Sequence, residues 1–202
     1  MAVRTVFFDV GETLVDETRA WGAAADAAGI PRLTFFGVLG GLAARGEQHR
    51  RVYEILGVPP GSSPDYVSDD FYPDAFPCLV ELRRRGFRLG IAGNQPGAAE
   101  SFLREAGLDV DWIGSSASWG VEKPSPEFFA RILSTAGCDA AELAYVGDRV
   151  DNDVVPAADA GFVAVFLRRG PWGFLQAEWP EVSRAHVSLD SLVDLPQALA
   201  DV

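Results

Sequence analysis

Hydrophobic positions along the chain gather into short unbroken runs, separated by longer stretches with helical spacing. The first run covers residues 3–8, where four of six positions are Val or Phe, and predicts a buried strand. It ends on Asp9, and Gly11 lets the chain turn before Thr13 and Leu14. Later runs predict strands over residues 87–92, 112–113, 143–146 and 162–167, with an edge strand over 186–189. Helices are predicted over residues 72–85, 95–106, 124–136 and 153–160, with a turn or helix at 192–199. Gly86, Gly107 and Gly137 stand where the first three of these helices should stop. Strands that alternate with helices of this length predict an α/β fold, a parallel sheet with helices on both faces.

Residues 17–71 break the alternation. Residues 18–28 are alanine-rich around Trp21 and read as a helix stopped by Gly29, with Pro31 just beyond. Residues 33–44 are a second apolar helical segment, interrupted at Gly37, Gly40 and Gly41, and residues 47–56 a third, ended by Gly57. Residues 59–64 form a Pro- and Ser-rich loop. The expected organisation is a small helical insert, residues 17–71, after the first strand of a core made of residues 1–16 and 72–202. Residues 168–181 are less regular, and their two tryptophans, Trp172 and Trp179, are expected to cover the sheet edge.

A chain of 202 residues suits one domain with a modest insertion. Its 17 basic and 29 acidic residues leave a net charge of −12, which argues against nucleic acid or an anionic membrane as partner. A small molecule is the expected ligand, and any phosphate pocket has to be locally positive. Only two cysteines, Cys78 and Cys138, argue against a disulfide scaffold; Cys78 lies in an apolar helical context and reads as a buried thiol. No apolar run of about 18 residues and no leader-like segment stands out, so a cytoplasmic location is expected.

Chemistry concentrates at three predicted strand exits, the place where open α/β sheets bind ligands. The first exit carries Asp9. The second is Glu122-Lys123-Pro124, in a loop fixed by Trp119, Gly120 and Pro126. The third is Gly147-Asp148-Arg149-Val150-Asp151-Asn152-Asp153. Carboxylates gathered this closely repel one another unless a cation lies among them, and oxygen-rich sites of this kind suit Mg²⁺. Asp9 and Asp148 are placed to supply two ligands and the backbone carbonyl of Gly11 a third. Asp153 is placed either to bind through water or to hold Lys123, and Asp151 to cap the following helix. Lys123 can neutralise phosphate and pin the Asp9 carboxylate. Trp119 either lines the mouth of the site or packs its loop. His49 and His186 are expected away from the crevice, and Arg19, Arg32 and Arg45 on the surface.

These motifs together resemble the haloacid dehalogenase-like hydrolase superfamily. The resemblance runs through Phe8-Asp9-Val10-Gly11-Glu12-Thr13-Leu14, then Gly90-Ile91-Ala92-Gly93-Asn94, then Lys123-Pro124-Ser125-Pro126-Glu127-Phe128-Phe129, and lastly Tyr145-Val146-Gly147-Asp148 with Asn152-Asp153 and on through Ala157, Ala160 and Gly161. It implies a Rossmann-like α/β core with a helical cap, and phosphoryl transfer with Asp9 as nucleophile. Mg²⁺ is then implied at Asp9, the Gly11 carbonyl, Asp148 and Asp153, and phosphate against Lys123, Val10, Gly11, Gly93 and Asn94. Two departures mark the chain. Phosphatases of the family carry an acid–base aspartate two residues after the nucleophile, where this chain has Gly11. They carry Ser or Thr where it has Gly93. Glu12 and Asp16 are the neighbouring carboxyls that can stand in for the first. The resemblance is also compatible with a degenerate member that binds phosphate, metal or a protein without turnover, and with a dehalogenase-like hydrolase.

Overall fold

The computed structural model describes residues 2–60 and 65–202. The first strand, β1, is Thr5–Phe8, and all four of its residues are buried. Three helices follow: α1 over Thr18–Ala27, α2 over Arg32–Ala44 and α3 over Arg51–Leu56. The chain then alternates through α4 (Ala75–Arg84), β2 (Arg88–Gly93), α5 (Gly97–Glu105) and β3 (Trp112–Ser115). The one-turn α6 (Ser116–Trp119) and α7 (Pro126–Ala136) lead to β4 (Leu143–Gly147). A π-helical turn, Val150–Val154, runs into α8 (Val155–Asp159), followed by β5 (Val163–Leu167), α9 (Gly170–Gln176), β6 (Val187–Leu189) and α10 (Leu195–Ala198).

The six strands form one sheet in the order β3-β2-β1-β4-β5-β6, and every pairing is parallel. The order reverses direction at β1, so β1 and β4 open side by side onto the crevice at their carboxyl ends. Helices cover both faces, which is why the strands read as unbroken apolar runs. Val6, Phe8 and Val10 point into one core layer with Leu79, Leu82 and Ile91. Phe7 points into the other with Phe128, Phe129 and Tyr145. Phe7 stacks on Trp112 at 5.6 Å, and a Cβ at Gly90 would overlap the Phe7 ring. That position therefore requires glycine.

The cap helices have a cluster of their own, with Ala24, Phe35, Leu39, Leu42, Val52 and Tyr53 buried together. Helix α2 runs unbroken through Gly37, Gly40 and Gly41, against the expected interruption. Glycine costs a helix only about 1 kcal/mol relative to alanine, and burial of Phe35, Leu39 and Leu42 outweighs that. The third helical segment shortens to Arg51–Leu56. Of the loop expected over residues 59–64, residues 61–64 lie outside the described residues.

The two strands of chain that join core and cap are zipped together. Tyr72 donates its N–H to the Leu14 carbonyl at 2.9 Å, Asp16 donates to the Asp70 carbonyl at 2.7 Å, and Val15 bridges Phe71. Asp70, buried, is gripped by the Arg19 guanidinium at 2.8 and 2.5 Å. Residues 168–181 depart from expectation. Gly170–Gln176 form helix α9, and Trp172 enters the cap cluster rather than covering the sheet edge. Trp179 packs on the second core layer, against Gly46 of the cap. The buried Gln176 of α9 accepts the Val150 N–H at 2.7 Å and donates to Asp151 at 3.1 Å, which braces the acidic loop. Cys78 is buried as expected, and burial pushes its thiol up to about 12. Among the described residues, no single helix is long and apolar enough to cross a membrane.

Candidate functional site

Strand β1 delivers Asp9 to the crevice, and its N–H is held by the Val146 carbonyl of β4 at 2.9 Å. Strand β4 ends on Gly147 and delivers Asp148. A Cβ at Gly147 would overlap the Asp153 carboxylate, so glycine there lets the π-helical turn fold back over the strand tip. Asp9, Asp148 and Asp153 are all buried, and each offers an oxygen such that the three lie within 4.8 Å of one another.

Lys123 sits among them. Its Nζ is 2.7 Å from Asp9 Oδ1 and 2.5 Å from Asp153 Oδ1. Asn94 fixes the lysine's backbone from both sides: its Nδ2 donates to the Lys123 carbonyl at 2.9 Å, and its Oδ1 accepts the Lys123 N–H at 2.7 Å. Both polar ends of the Asn94 side chain are thus committed to placing the lysine loop. Tyr145 lies beneath, its ring 5.5 Å from Nζ and its hydroxyl donating to the Ala92 carbonyl at 2.8 Å. Burial works against charge on Lys123, but Asp153 and Asp9 more than offset it and hold its pKa well above the usual lysine range. Asp153 also accepts the Arg149 N–H at 3.0 Å; burial and Asp9 lift its carboxyl to about 6 against the pull of Lys123. Of the two roles open to Asp153, the contact formed is the one with Lys123.

Asp148 has no such partner. Its Oδ2 is buried without a hydrogen bond, and burial, then Asp153, Asp9 and Glu12, raise its carboxyl well above the usual range. A buried oxygen left unpaired beside two further carboxylates is the donor set a divalent cation satisfies. The three carboxylates can therefore hold a metal ion.

The crevice between sheet edge and cap encloses about 300 Å³. Asp9, Gly11, Asn94, Lys123 and Asp148 line its floor, while Glu17, Trp21, His49, Arg50 and Tyr66 line it from the insert. Val10 is buried behind it, its carbonyl accepting the N–H groups of Leu14 and Val15 at 2.9 Å each. A Cβ at Gly93 would overlap Asp9 Oδ1, so the lysine-held carboxylate occupies the space a larger residue there would need.

The two neighbouring acids of Asp9 take different places. Glu12 stands in the left-handed region at φ 52°, buried, its carboxylate accepting the Glu17 N–H at 3.0 Å and the Tyr72 hydroxyl at 2.6 Å. Burial lifts it to about 7, Tyr72 holding it down and Glu17 adding to the rise. Asp16 turns to the start of α1 and accepts the Thr18 N–H at 2.8 Å. Asp151 does not cap a helix; Arg149 grips it at 3.1 and 2.7 Å.

One expectation for the other residues changes, that for His49. His49 lines the crevice rather than lying apart from it, with Trp21 at 5.5 Å and Trp172 at 6.2 Å on its edges. Burial, with Arg149 and Arg50, pushes it down to about 4. The arginines facing the cavity are Arg50 and Arg149, whereas Arg19, Arg32 and Arg45 pair with Asp70, Asp26 and Glu47. Trp119 packs its loop, 5.2 Å from Phe128, and His186 accepts the Ala164 N–H at 3.1 Å by the edge strand. The residue that sequence reasoning missed is Glu17. Its signal was the spacing to Trp21, one helical turn on, whose indole N–H donates to Glu17 Oε2 at 3.1 Å.

A family model described as haloacid dehalogenase-like hydrolase matches residues 3–161. The chain is 38% identical over 105 residues to a glyceraldehyde 3-phosphate phosphatase of Methanopyrus kandleri, a match covering 50% of this chain and 45% of that protein. It is 37% identical over 115 residues to a phosphoserine phosphatase of Thermus thermophilus, covering 55% and 45%. These matches span about half the length of each relative. Its fold is similar to that of an L-2-haloacid dehalogenase from Xanthobacter autotrophicus, with a TM-score of 0.69 over 98% of both chains and 21% identity.

Proposed function

Because the chain belongs to the haloacid dehalogenase-like hydrolase family, we propose that it is a phosphomonoesterase for a small phosphorylated molecule, with Asp9 as nucleophile and Mg²⁺ as cofactor. The observation that carries this reading is the pairing of Asp9 with Lys123 at 2.7 Å beside the unpartnered Asp148 oxygen. Asp9 and Asp148 would hold the cation, and Asp153 would hold Lys123. When bound, Mg²⁺ supplies positive charge against the phosphate oxygens.

Lys123 orients the Asp9 carboxylate, so an oxygen of Asp9 attacks phosphorus as the ester P–O bond breaks. Water then attacks the phosphoryl group on Asp9, releasing phosphate and the free carboxylate. Lys123 offsets the negative charge of the phosphoryl oxygens. Arg50 and Arg149 give the cavity further positive charge within a chain of net charge −12. The helices after β1 cover the crevice as a cap and limit its size. A cavity of about 300 Å³ suits a compact monoester, of the size named for the Methanopyrus and Thermus relatives.

A screen of phosphomonoesters for phosphate release with Mg²⁺, run beside Asp9→Asn, tests the reading. Release by the native chain that falls to background in the variant is expected. No release by the native chain would overturn it in favour of a binding protein without turnover, and equal release by both would overturn Asp9 as nucleophile.

A further inference from the structure

Breaking an alkyl phosphate ester leaves an alkoxide, which needs a proton as it departs. The donor has to be a group in the crevice that the nucleophile and cation sites do not use. Asp9, Asp148 and Asp153 belong to the cluster around Lys123. The Glu12 side chain lies against Gly170 and accepts the Tyr72 hydroxyl, Asp16 is turned to Thr18, and Glu122 is exposed at the rim. Among the described residues that line the cavity, one carboxyl remains.

That carboxyl is Glu17. It starts helix α1 but reaches back over the core, and it fills the space beside Gly11. A Cβ built on Gly11 would stand 2.6 Å from the Glu17 carboxyl carbon and 2.7 and 2.9 Å from its two oxygens. The group is therefore where a side chain at residue 11 would be, two residues past Asp9. It is aimed by two donors, the Tyr66 hydroxyl at 2.5 Å to Oε1 and the Trp21 indole at 3.1 Å to Oε2. Burial raises its pKa above the usual carboxyl range, against the pull of Tyr66 and Trp21.

We propose that Glu17, carried by the insert, is the acid–base carboxyl of this hydrolase and occupies the place that Gly11 leaves open. The proposal rests on the phosphomonoesterase reading above. As the Asp9 oxygen bonds to phosphorus, the ester P–O electron pair goes to the leaving oxygen, which takes the proton of Glu17. The Glu17 carboxylate then takes a proton from water while the water oxygen bonds to phosphorus. The P–O bond to Asp9 breaks, returning Asp9 as carboxylate and Glu17 as acid. Because Glu17 belongs to the insert, the proton donor is in place only when the insert sits on the core.

The test uses the full chain with Mg²⁺ and two substrates, an alkyl phosphate and 2,4-dinitrophenyl phosphate, whose phenolate leaves without a proton. Glu17→Gln should lower kcat on the alkyl ester by about 10²–10⁴-fold. On the dinitrophenyl ester it should keep a burst of about one phenolate per protein at near the native rate, followed by slow turnover. Asp9→Asn should give no burst. Native kcat on the alkyl ester in Glu17→Gln would overturn the Glu17 assignment while leaving Asp9 standing. A native chain with no turnover on either ester would overturn the underlying reading and this proposal with it. A second pair guards against misfolding. Gly11→Asp alone should lower turnover, because its side chain competes with Glu17 for one space. Gly11→Asp in the Glu17→Ala background should recover at least about tenfold of what Glu17→Ala loses. Failure of the double variant, folded by circular dichroism, to exceed Glu17→Ala would also overturn the proposal.

Discussion

Replacing Lys123 by Met should cost more stability than any exposed charge in the chain. The side chain is buried, and it is the bridge between two buried carboxylates, at 2.7 Å to Asp9 and 2.5 Å to Asp153. Methionine keeps the length and loses the charge. The loop itself is not disturbed, because Asn94 holds it through the Lys123 backbone. What remains is a cluster of three buried carboxylates with no cation among them. Removing one partner of a buried pair costs about 3–5 kcal/mol, a large share of the roughly 5–15 kcal/mol that holds a domain together. Urea unfolding at neutral pH with EDTA present should show the midpoint falling by roughly 1–2 M. The companion double variant, Lys123→Met with Asp153→Asn, removes one of the stranded charges and should lose at least about 1 kcal/mol less than Lys123→Met alone. A single variant that loses under about 1 kcal/mol, or a double variant no better than the single, would show that the three carboxylates do not need this lysine. The electrostatic account of the site would then fail.

Two further outcomes concern the cap. His49 is held down to about 4 in the fold against an ordinary value of 6.5, so below pH 6.5 the unfolded chain binds the proton first. Stability should be full above about pH 6.5 and fall as pH drops toward 4, by at most about 3 kcal/mol from this group; urea midpoints for His49→Gln should lack that share of the slope, and parallel pH curves for the two proteins would count against it. Trp172 joins the cap cluster from the core side, and its indole Nε1 is buried without a partner. Trp172→Ala should therefore cost about 3–5 kcal/mol, whereas Trp172→Phe, which removes an unsatisfied N–H, should cost far less; equal losses in thermal unfolding would refute this.

The order of strands and helices was legible because both faces of the sheet are covered. Burial on both sides turns each strand into an unbroken apolar run, as in Val163–Leu167, where every residue is buried. The meeting of Asp9, Asp148 and Asp153 was legible for the same reason, since these follow the exits of β1 and β4, whereas Lys123 reaches them from the loop between α6 and α7. Elements set by packing were harder. Helix α2 runs through its glycines because Phe35, Leu39 and Leu42 bury against the rest of the insert, and no local spacing announces that. Trp172 reads as an edge-covering residue until its contacts with the insert are known. His49 carries no motif, and only its place between Trp21 and Trp172 brings it to the crevice.

The two glycines show why motif reading stops short at this site. In sequence, Gly11 and Gly93 are both losses, an absent carboxyl and an absent hydroxyl. In space neither position is empty. The Asp9 carboxylate occupies the room beside Gly93, and the Glu17 carboxyl occupies the room beside Gly11. A side chain at either position would displace an acid that is already hydrogen-bonded or ion-paired, Glu17 by Tyr66 and Trp21, Asp9 by Lys123. The glycines and the acids are thus one packing solution, and each explains the other. A motif compares residues at fixed positions along the chain, so it registers the missing side chain. It has no means of registering that a residue six positions later, on a helix of the insert, has come back to fill the same volume.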